Sequence, residues 1–139
     1  MNKKTSLIAG STGFLGSKIL NYLHKEDQKI YCLSRRENEI NSVSIEDIII
    51  DFDTINDLSL PKIDHVYLCL GYELRAWELI SMPERKKGPF YKVDYEYTLN
   101  IAKKAEEAGA TSVSLVSAVG ANKNSESFYL KTKGDLEEE

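Results

Sequence analysis

Short runs of apolar residues alternate along this chain with longer segments in which apolar residues recur every three or four positions. The short runs lack a polar face, which is typical of strands buried on both sides of a parallel sheet, whereas the longer segments are typical of amphipathic helices. Their alternation predicts an α/β fold, a doubly wound parallel sheet in a three-layer α/β/α arrangement. The predicted strands cover residues 5–9, 29–34, 47–51, 65–70 and 112–117.

The longest predicted helix carries an apolar stripe at four-residue spacing from Val93 to Ala105, and Gly109 ends it as a cap. Residues 72–90 break the pattern, so we expect an irregular segment there with at most one short helix. In sheets of this kind ligands bind beyond the carboxyl ends of the strands, so residues just after each strand are candidates for a binding site. The predicted helices cover residues 15–24, 91–108 and 127 onward.

A glycine-rich turn joins the first predicted strand to the first predicted helix. The first of its three glycines allows a tight turn, the second lets a pyrophosphate approach the backbone, and the third lets the helix pack closely on the strand. The helix N-terminus adds free N–H groups and a partial positive charge for phosphates. The alternative is a plain strand-to-helix turn with a packing glycine. The residues assigned to dinucleotide binding here are Gly10, Ser11, Thr12, Gly13, Phe14, Leu15 and Gly16.

Two arginines follow the second predicted strand, where NAD-selective sites carry an acidic residue against the ribose hydroxyls. The guanidinium groups of Arg35 and Arg36 would instead bind a 2′-phosphate, so the sequence favours NADP(H) over NAD. The alternative is a solvated basic turn in which Glu37 and Glu39 pair with these arginines.

The third and fourth predicted strands end in residues suited to the same cofactor. The Asp51 carboxylate can accept a hydrogen bond from an adenine amino group, or it can cap the turn that follows. Leu70 and Gly71 are assigned to the cofactor site because the missing side chain of Gly71 lets a ribose lie near the backbone. Ordinary turn chemistry explains these positions equally well.

The fifth predicted strand and the last predicted helix carry the candidate catalytic residues Ser117, Tyr129 and Lys133. Tyr129 and Lys133 are four residues apart and share one face of a helix. A phenol acts as a general acid or base near neutral pH only when a nearby positive charge favours its phenolate, and a serine hydroxyl can hold a substrate oxygen on which charge develops. The alternative is an aromatic residue beside a surface lysine on an amphipathic helix.

Composition narrows the class of protein. The 139 residues are 42% hydrophobic and 29% charged, which fits one folded domain over residues 1–139. The net charge of −4 argues against a nucleic-acid partner, and no apolar run is long enough to span a membrane. Cys32 and Cys69 lie in apolar runs and are expected to be buried, reduced thiols, which predicts a cytoplasmic protein. No metal site is assigned.

Together these motifs resemble the short-chain dehydrogenase/reductase superfamily and, within it, the atypical NmrA-like, Tat-interacting-protein-like branch. The chain departs from the superfamily pattern at Asp94, where many members carry an asparagine of a proton relay. The stretches similar to those of the branch are 93–95 (VDY), 117–122 (SAVGAN) and 128–137 (FYLKTKGDLE).

The resemblance implies an NADP(H)-binding Rossmann domain in which Tyr129 donates a proton, Lys133 holds the nicotinamide ribose and Ser117 orients the substrate. It also implies that Arg35 and Arg36 meet the 2′-phosphate. The expected function is therefore an NADP(H)-dependent oxidoreductase acting on a carbonyl or hydroxyl of an unidentified small molecule. The alternative is a non-catalytic NADP(H)-sensing regulator that binds a protein partner.

Members of the superfamily continue past this last helix into at least one more strand and a substrate-covering region. We therefore expect a domain that lacks its last strands, either as the cofactor-binding portion of an enzyme or as an inactive fragment. The uncovered side near the last helix and the fifth strand predicts self-association into a homo-oligomer.

Overall fold

A computed structural model describes residues 3–139, so residues 1 and 2 of the expected domain lie outside the described range. Five parallel strands form one sheet in the order third, second, first, fourth, fifth, which confirms the predicted α/β fold. The order reverses direction between the first and fourth strands, where ligands of such sheets bind. The strands are β1 (Lys4–Ala9), β2 (Gln28–Ser34), β3 (Ile45–Ile49), β4 (His65–Leu68) and β5 (Ser112–Leu115).

Helices connect the strands on both sides of the sheet. Two 3₁₀ turns (Phe52–Asp57 and Ala76–Leu79) and one π-helical segment (Lys92–Tyr97) supplement them. The α-helices are α1 (Phe14–Leu23), α2 (Glu84–Tyr91), α3 (Thr98–Glu107) and α4 (Phe128–Glu138).

Each face of the sheet buries its own apolar cluster, because successive strand residues point to opposite faces. On one face α1 packs through Leu20 and Leu23 against Ile8 and Ile30. On the other face α3 packs against a larger cluster, whose fully buried members include Leu7, Leu33, Val66, Ile101 and Ala105. The three-layer arrangement follows from these two cores.

Three strands end two residues earlier than predicted: β3 at Ile49, β4 at Leu68 and β5 at Leu115. β3 spans 45–49 rather than 47–51, because its pairing with β2 begins at Ile45 and ends level with Ser34. β5 ends at Leu115, after which Val116 donates one more backbone hydrogen bond, 3.1 Å, to the carbonyl of Leu68. Ser117 therefore stands in the loop beyond the sheet.

The longest helical stretch begins at Glu84, not at residue 91, and runs through the π-helical segment into α3. Gly88 and Pro89 weaken helix propensity, which is why the sequence pattern placed the start later. Glu84 in the first turn favours this start, because a carboxylate near a helix N-terminus is stabilised by the helix dipole. The expected short helix in residues 72–90 is α2.

Both cysteines are free thiols. Burial raises the pKa of Cys32 and of Cys69 to about 11, so neither is a thiolate at neutral pH. Cys32 is fully buried as expected, whereas Cys69 is half-buried. None of the helices in residues 3–139 has the length and the hydrophobicity that a bilayer span requires.

Candidate functional site

The glycine-rich turn lies between the carboxyl ends of β2 and β4, and two of its glycines are sterically required. Gly10 has a φ of +81°, and a Cβ there would lie 2.7 Å from the carbonyl oxygen of Cys69. A Cβ on Gly16 would lie 2.0 Å from the carbonyl oxygen of Gly10, so only glycine lets α1 approach the turn this closely. A Cβ on Gly13 would be 3.4 Å from its nearest neighbour, which leaves the space above the turn open for a ligand.

The hydroxyl of Ser11 lies beneath the turn. Ser11 is fully buried, and its Oγ accepts a hydrogen bond of 3.1 Å from Asn38 Nδ2. The same amide group donates to Asp47 on β3, and the backbone N–H of Asn38 donates to the other oxygen of that carboxylate at 3.3 Å. Asn38, which the sequence did not single out, thus ties the segment after β2 to the glycine turn and to the edge strand.

The rest of the turn faces outward. Thr12 is half-buried, while Phe14 and Leu15 at the start of α1 are exposed, Phe14 by 83%. The helix begins without a side-chain cap, so the first N–H groups of α1 are available to an anion.

Arg35 and Arg36 are exposed just beyond β2. Across residues 3–139 neither guanidinium forms an ion pair, so the alternative pairing with Glu37 and Glu39 is not seen. The hydroxyl of Ser34 donates to the backbone carbonyl of Arg36 and holds the turn that carries both arginines.

The residues that follow β3 and those that follow β4 differ in whether they leave space for a ligand. The carboxylate of Asp51 accepts a 2.9 Å hydrogen bond from the N–H of Asp53 and caps the 3₁₀ turn that follows. Leu70 is half-buried and packs against the larger core. A Cβ on Gly71 would meet nothing within 4 Å, so the backbone at this position is open to a ligand.

Two contacts fix helix α4. Ser127 caps its N-terminus by accepting from the N–H of Leu130, and its hydroxyl donates a 2.8 Å hydrogen bond to the carbonyl of Leu79. The loop before the helix crosses it at Gly134, where a Cβ would lie 2.4 Å from the backbone of Asn122. A glycine in the middle of a helical pattern is a sequence signal for such a close crossing.

Tyr129 and Lys133 lie together on α4 as their spacing predicts. The Lys133 ammonium is 5.7 Å from the centre of the Tyr129 ring, which also packs against Phe90 at 5.5 Å between ring centres. Tyr129 is half-buried, so its ring is held by packing, whereas Lys133 is only 5% exposed. This places a fixed positive charge next to the phenol.

Lys133 forms a buried ion pair with Asp94. The Nζ–Oδ1 distance is 2.6 Å, and the other carboxylate oxygen accepts a 2.8 Å hydrogen bond from the N–H of Tyr72. Asp94 is 3% exposed and belongs to the π-helical segment, an irregularity often found at functional sites. At the position where the resemblance implies a relay asparagine, this chain has a carboxylate in direct contact with the lysine.

The hydroxyl of Ser117 donates to the carboxylate of Glu137 on α4. To hold a substrate oxygen, as the resemblance implies, this hydroxyl would have to leave Glu137. Taken together, the carboxyl edge combines a glycine-rich turn whose first helix N–H groups are open, two exposed arginines and a tyrosine beside a buried lysine. Such an arrangement is suited to a dinucleotide and to proton transfer at the phenol oxygen.

Comparison with known proteins agrees with this geometry. Residues 6–133 match the NAD dependent epimerase/dehydratase family. Protein FMP52, mitochondrial, of Candida glabrata is 31% identical over 145 residues, covering 100% of this chain and 58% of the relative. Protein HTATIP2 of Rattus norvegicus is 28% identical over 148 residues, covering 99% of this chain and 56% of that protein, which confirms the resemblance to the Tat-interacting-protein-like branch.

A solved structure with the same fold is a short-chain dehydrogenase from Leptospira borgpetersenii with bound NAD⁺. Its TM-score is 0.73 at 16% sequence identity, and the match covers 98% of this chain and 62% of that one. The chain therefore spans less than two thirds of the length of each of these three proteins.

The expectation of a cytoplasmic protein is wrong. The FMP52 relatives from Candida glabrata and Candida albicans are both named as mitochondrial, which points away from the cytoplasm. The physical reason is that reduced thiols exclude an oxidising compartment but do not distinguish one reducing compartment from another.

Proposed function

Because the chain belongs to the NAD dependent epimerase/dehydratase family, we propose that it binds NADP(H) and supports oxidation or reduction at a carbonyl or hydroxyl carbon of a small molecule. The observation that carries this proposal is the exposed arginine pair beside the glycine-rich turn, which forms no ion pair within residues 3–139. It supports a preference for the cofactor with a 2′-phosphate, since a planar guanidinium binds phosphate through two hydrogen bonds.

Each site residue has a role in this proposal. When bound, NADP(H) supplies or accepts the hydride. Gly10 and Gly16 keep the turn tight, and the N–H groups at the start of α1 bind the pyrophosphate. The Tyr129 phenol exchanges a proton with the substrate oxygen, the Lys133 ammonium binds the nicotinamide ribose, and Ser117, once free of Glu137, holds the substrate oxygen.

Cofactor preference is tested by titrating NADPH and NADH into the wild type and the variants Arg35→Ala and Arg36→Ala. Loss of a charged hydrogen-bonding partner should weaken NADPH binding by about tenfold and leave NADH binding nearly unchanged. Arg85→Ala is the matched control, because Arg85 is also exposed and lies on α2. Equal binding of both cofactors by the wild type would contradict the NADP(H) preference.

Catalysis is tested with Tyr129→Phe. The protein is mixed with NADPH and with each member of a panel of small ketones and aldehydes, and the absorbance of the cofactor is followed over time. An enzyme should lose turnover while still binding NADPH, because the substitution removes only the phenol oxygen. If the wild type binds NADPH and is itself inert across the panel, the alternative of a sensor that binds a protein partner gains support.

We further propose that a second copy of the chain packs on the side formed by β5 and α4. Within residues 3–139 the outer edge of β5 is unpaired, and Val113 on this strand is 57% exposed. A groove of about 560 Å³ beside it is lined by apolar residues such as Leu99, Leu115 and Leu136 and also by charged residues, among them Lys103, Glu106 and Glu137. An unpaired edge without charges is a template for pairing with a like strand. Light scattering should show a concentration-dependent dimer that Val113→Lys abolishes, whereas a monomer at all concentrations would contradict the proposal.

A further inference from the structure

Asp94 occupies an unusual position for a carboxylate. It is buried, it contacts a single charged group within residues 3–139, and both of its oxygens accept hydrogen bonds. One oxygen holds the ammonium of Lys133, and the other accepts from the N–H of Tyr72, which follows Gly71 in the loop beyond β4. One side chain therefore connects the candidate catalytic helix to the loop over which a dinucleotide would lie.

Contacts made by neighbouring residues hold the backbone around Asp94 in place. Tyr97 and Lys92, on either side of it in the π-helical segment, both bind Asp53, with an O–O distance of 2.6 Å from Tyr97 and an N–O distance of 2.7 Å from Lys92. Thr98 donates its hydroxyl to the carbonyl of Val93 at 3.2 Å. These contacts anchor the segment from outside while Asp94 points inward.

The ammonium of Lys133 carries three N–H groups, and Asp94 accepts one of them. A lysine on a flexible stem would otherwise sample several positions, and fixing it has an entropic cost. Because the carboxylate fixes the ammonium before any ligand arrives, the remaining N–H groups keep a defined direction. Preorganisation of this kind strengthens binding because the side chain loses less conformational entropy when the ligand associates.

We infer that Asp94 is a positioning residue. It holds Lys133 in place for the nicotinamide half of the cofactor and links that lysine to the backbone after Gly71. The inference rests on the proposed NADP(H) site. It adds to that proposal that a direct contact with the Asp94 carboxylate, and not a contact with solvent, fixes the position of Lys133.

The test compares two ligands that share the adenine half. NADPH contains the nicotinamide ribose, whereas adenosine 2′,5′-bisphosphate lacks it. Asp94→Asn keeps the shape of the side chain and removes its charge, and Glu96→Gln is the matched control, because Glu96 is exposed on the same π-helical segment. Calorimetric titration of the full chain should show NADPH binding weakened by about tenfold in Asp94→Asn and unchanged in Glu96→Gln. Binding of the bisphosphate should be unchanged in both variants.

The possible outcomes separate the two proposals. If the wild type binds neither ligand, the proposed cofactor site is wrong. If the wild type binds both and Asp94→Asn loses both equally, or loses neither, the positioning role is wrong and the site stands. Amide exchange of Tyr72 gives a second readout that requires no ligand: its N–H should exchange faster in Asp94→Asn than in the wild type. In the Lys133→Met background, Asp94→Asn should cause no further loss of NADPH affinity, and an additive loss would overturn the inference.

Discussion

Replacing glycines of the turn one at a time separates its structural role from its ligand-binding role. In Gly16→Ala the new Cβ would lie 2.0 Å from the carbonyl oxygen of Gly10, so α1 or the turn has to move by more than an ångström. The destabilisation by this overpacking is larger than the stabilisation by the higher helix propensity of alanine. The expected net loss is about 2 kcal/mol of unfolding free energy. For a chain of this length that corresponds to a melting temperature lower by about 7 °C.

Gly13→Ala is the matched comparison. Its Cβ would stand 3.4 Å from the nearest atom, at a backbone φ of −78° that alanine adopts freely. Thermal unfolding should be close to that of the wild type, while NADPH affinity should fall, because the methyl group occupies the approach of the pyrophosphate. A Gly16→Ala protein as stable as the wild type, or a Gly13→Ala protein that binds NADPH normally, would refute the reasoning about the turn.

Three further predictions follow from single contacts. Gly134→Ala should lower stability by about 3 kcal/mol in chemical denaturation because its Cβ meets a crossing backbone, whereas Gly88→Ala, in open space, should not destabilise. Asn38→Ala should reduce the preference for NADPH over NADH in titrations, because it frees the segment that carries the arginines, while the exposed Asn41→Ala should not. The hydrogen bond from the Lys86 ammonium lowers the pKa of Glu78, so this carboxylate stabilises the fold above its unfolded pKa, and the effect is lost as pH falls through the folded value. The melting temperature of Glu78→Gln should therefore lie below that of the wild type at neutral pH and approach it below about pH 4.

The sequence pattern was sufficient for the sheet and for the glycine-rich turn, because both depend on short-range signals. Buried parallel strands are continuous apolar runs, and the turn glycines lie within seven residues of one another. The start of α2 was missed because Gly88 and Pro89 have poor helix propensity, while the tertiary contact that holds this segment, between Lys86 and Glu78, is not visible in local composition.

The site was only partly predictable, because several of its contacts join residues that are distant in the sequence. Tyr129 and Lys133 share a helix, so their spacing alone placed them together. The partner of Lys133 lies 39 positions away, and the partner of Ser117 lies on the next helix, so both depend on how the elements pack. The same holds for Asn38, whose contact with Ser11 spans 27 positions.

The most direct test of the account is the binding of NADPH and NADH to the wild-type chain, measured side by side by fluorescence titration. The account predicts that NADPH binds at least about tenfold more tightly and that Arg35→Ala together with Arg36→Ala removes the difference. No binding of either cofactor, or a preference for NADH that the arginine variants leave unchanged, would contradict it.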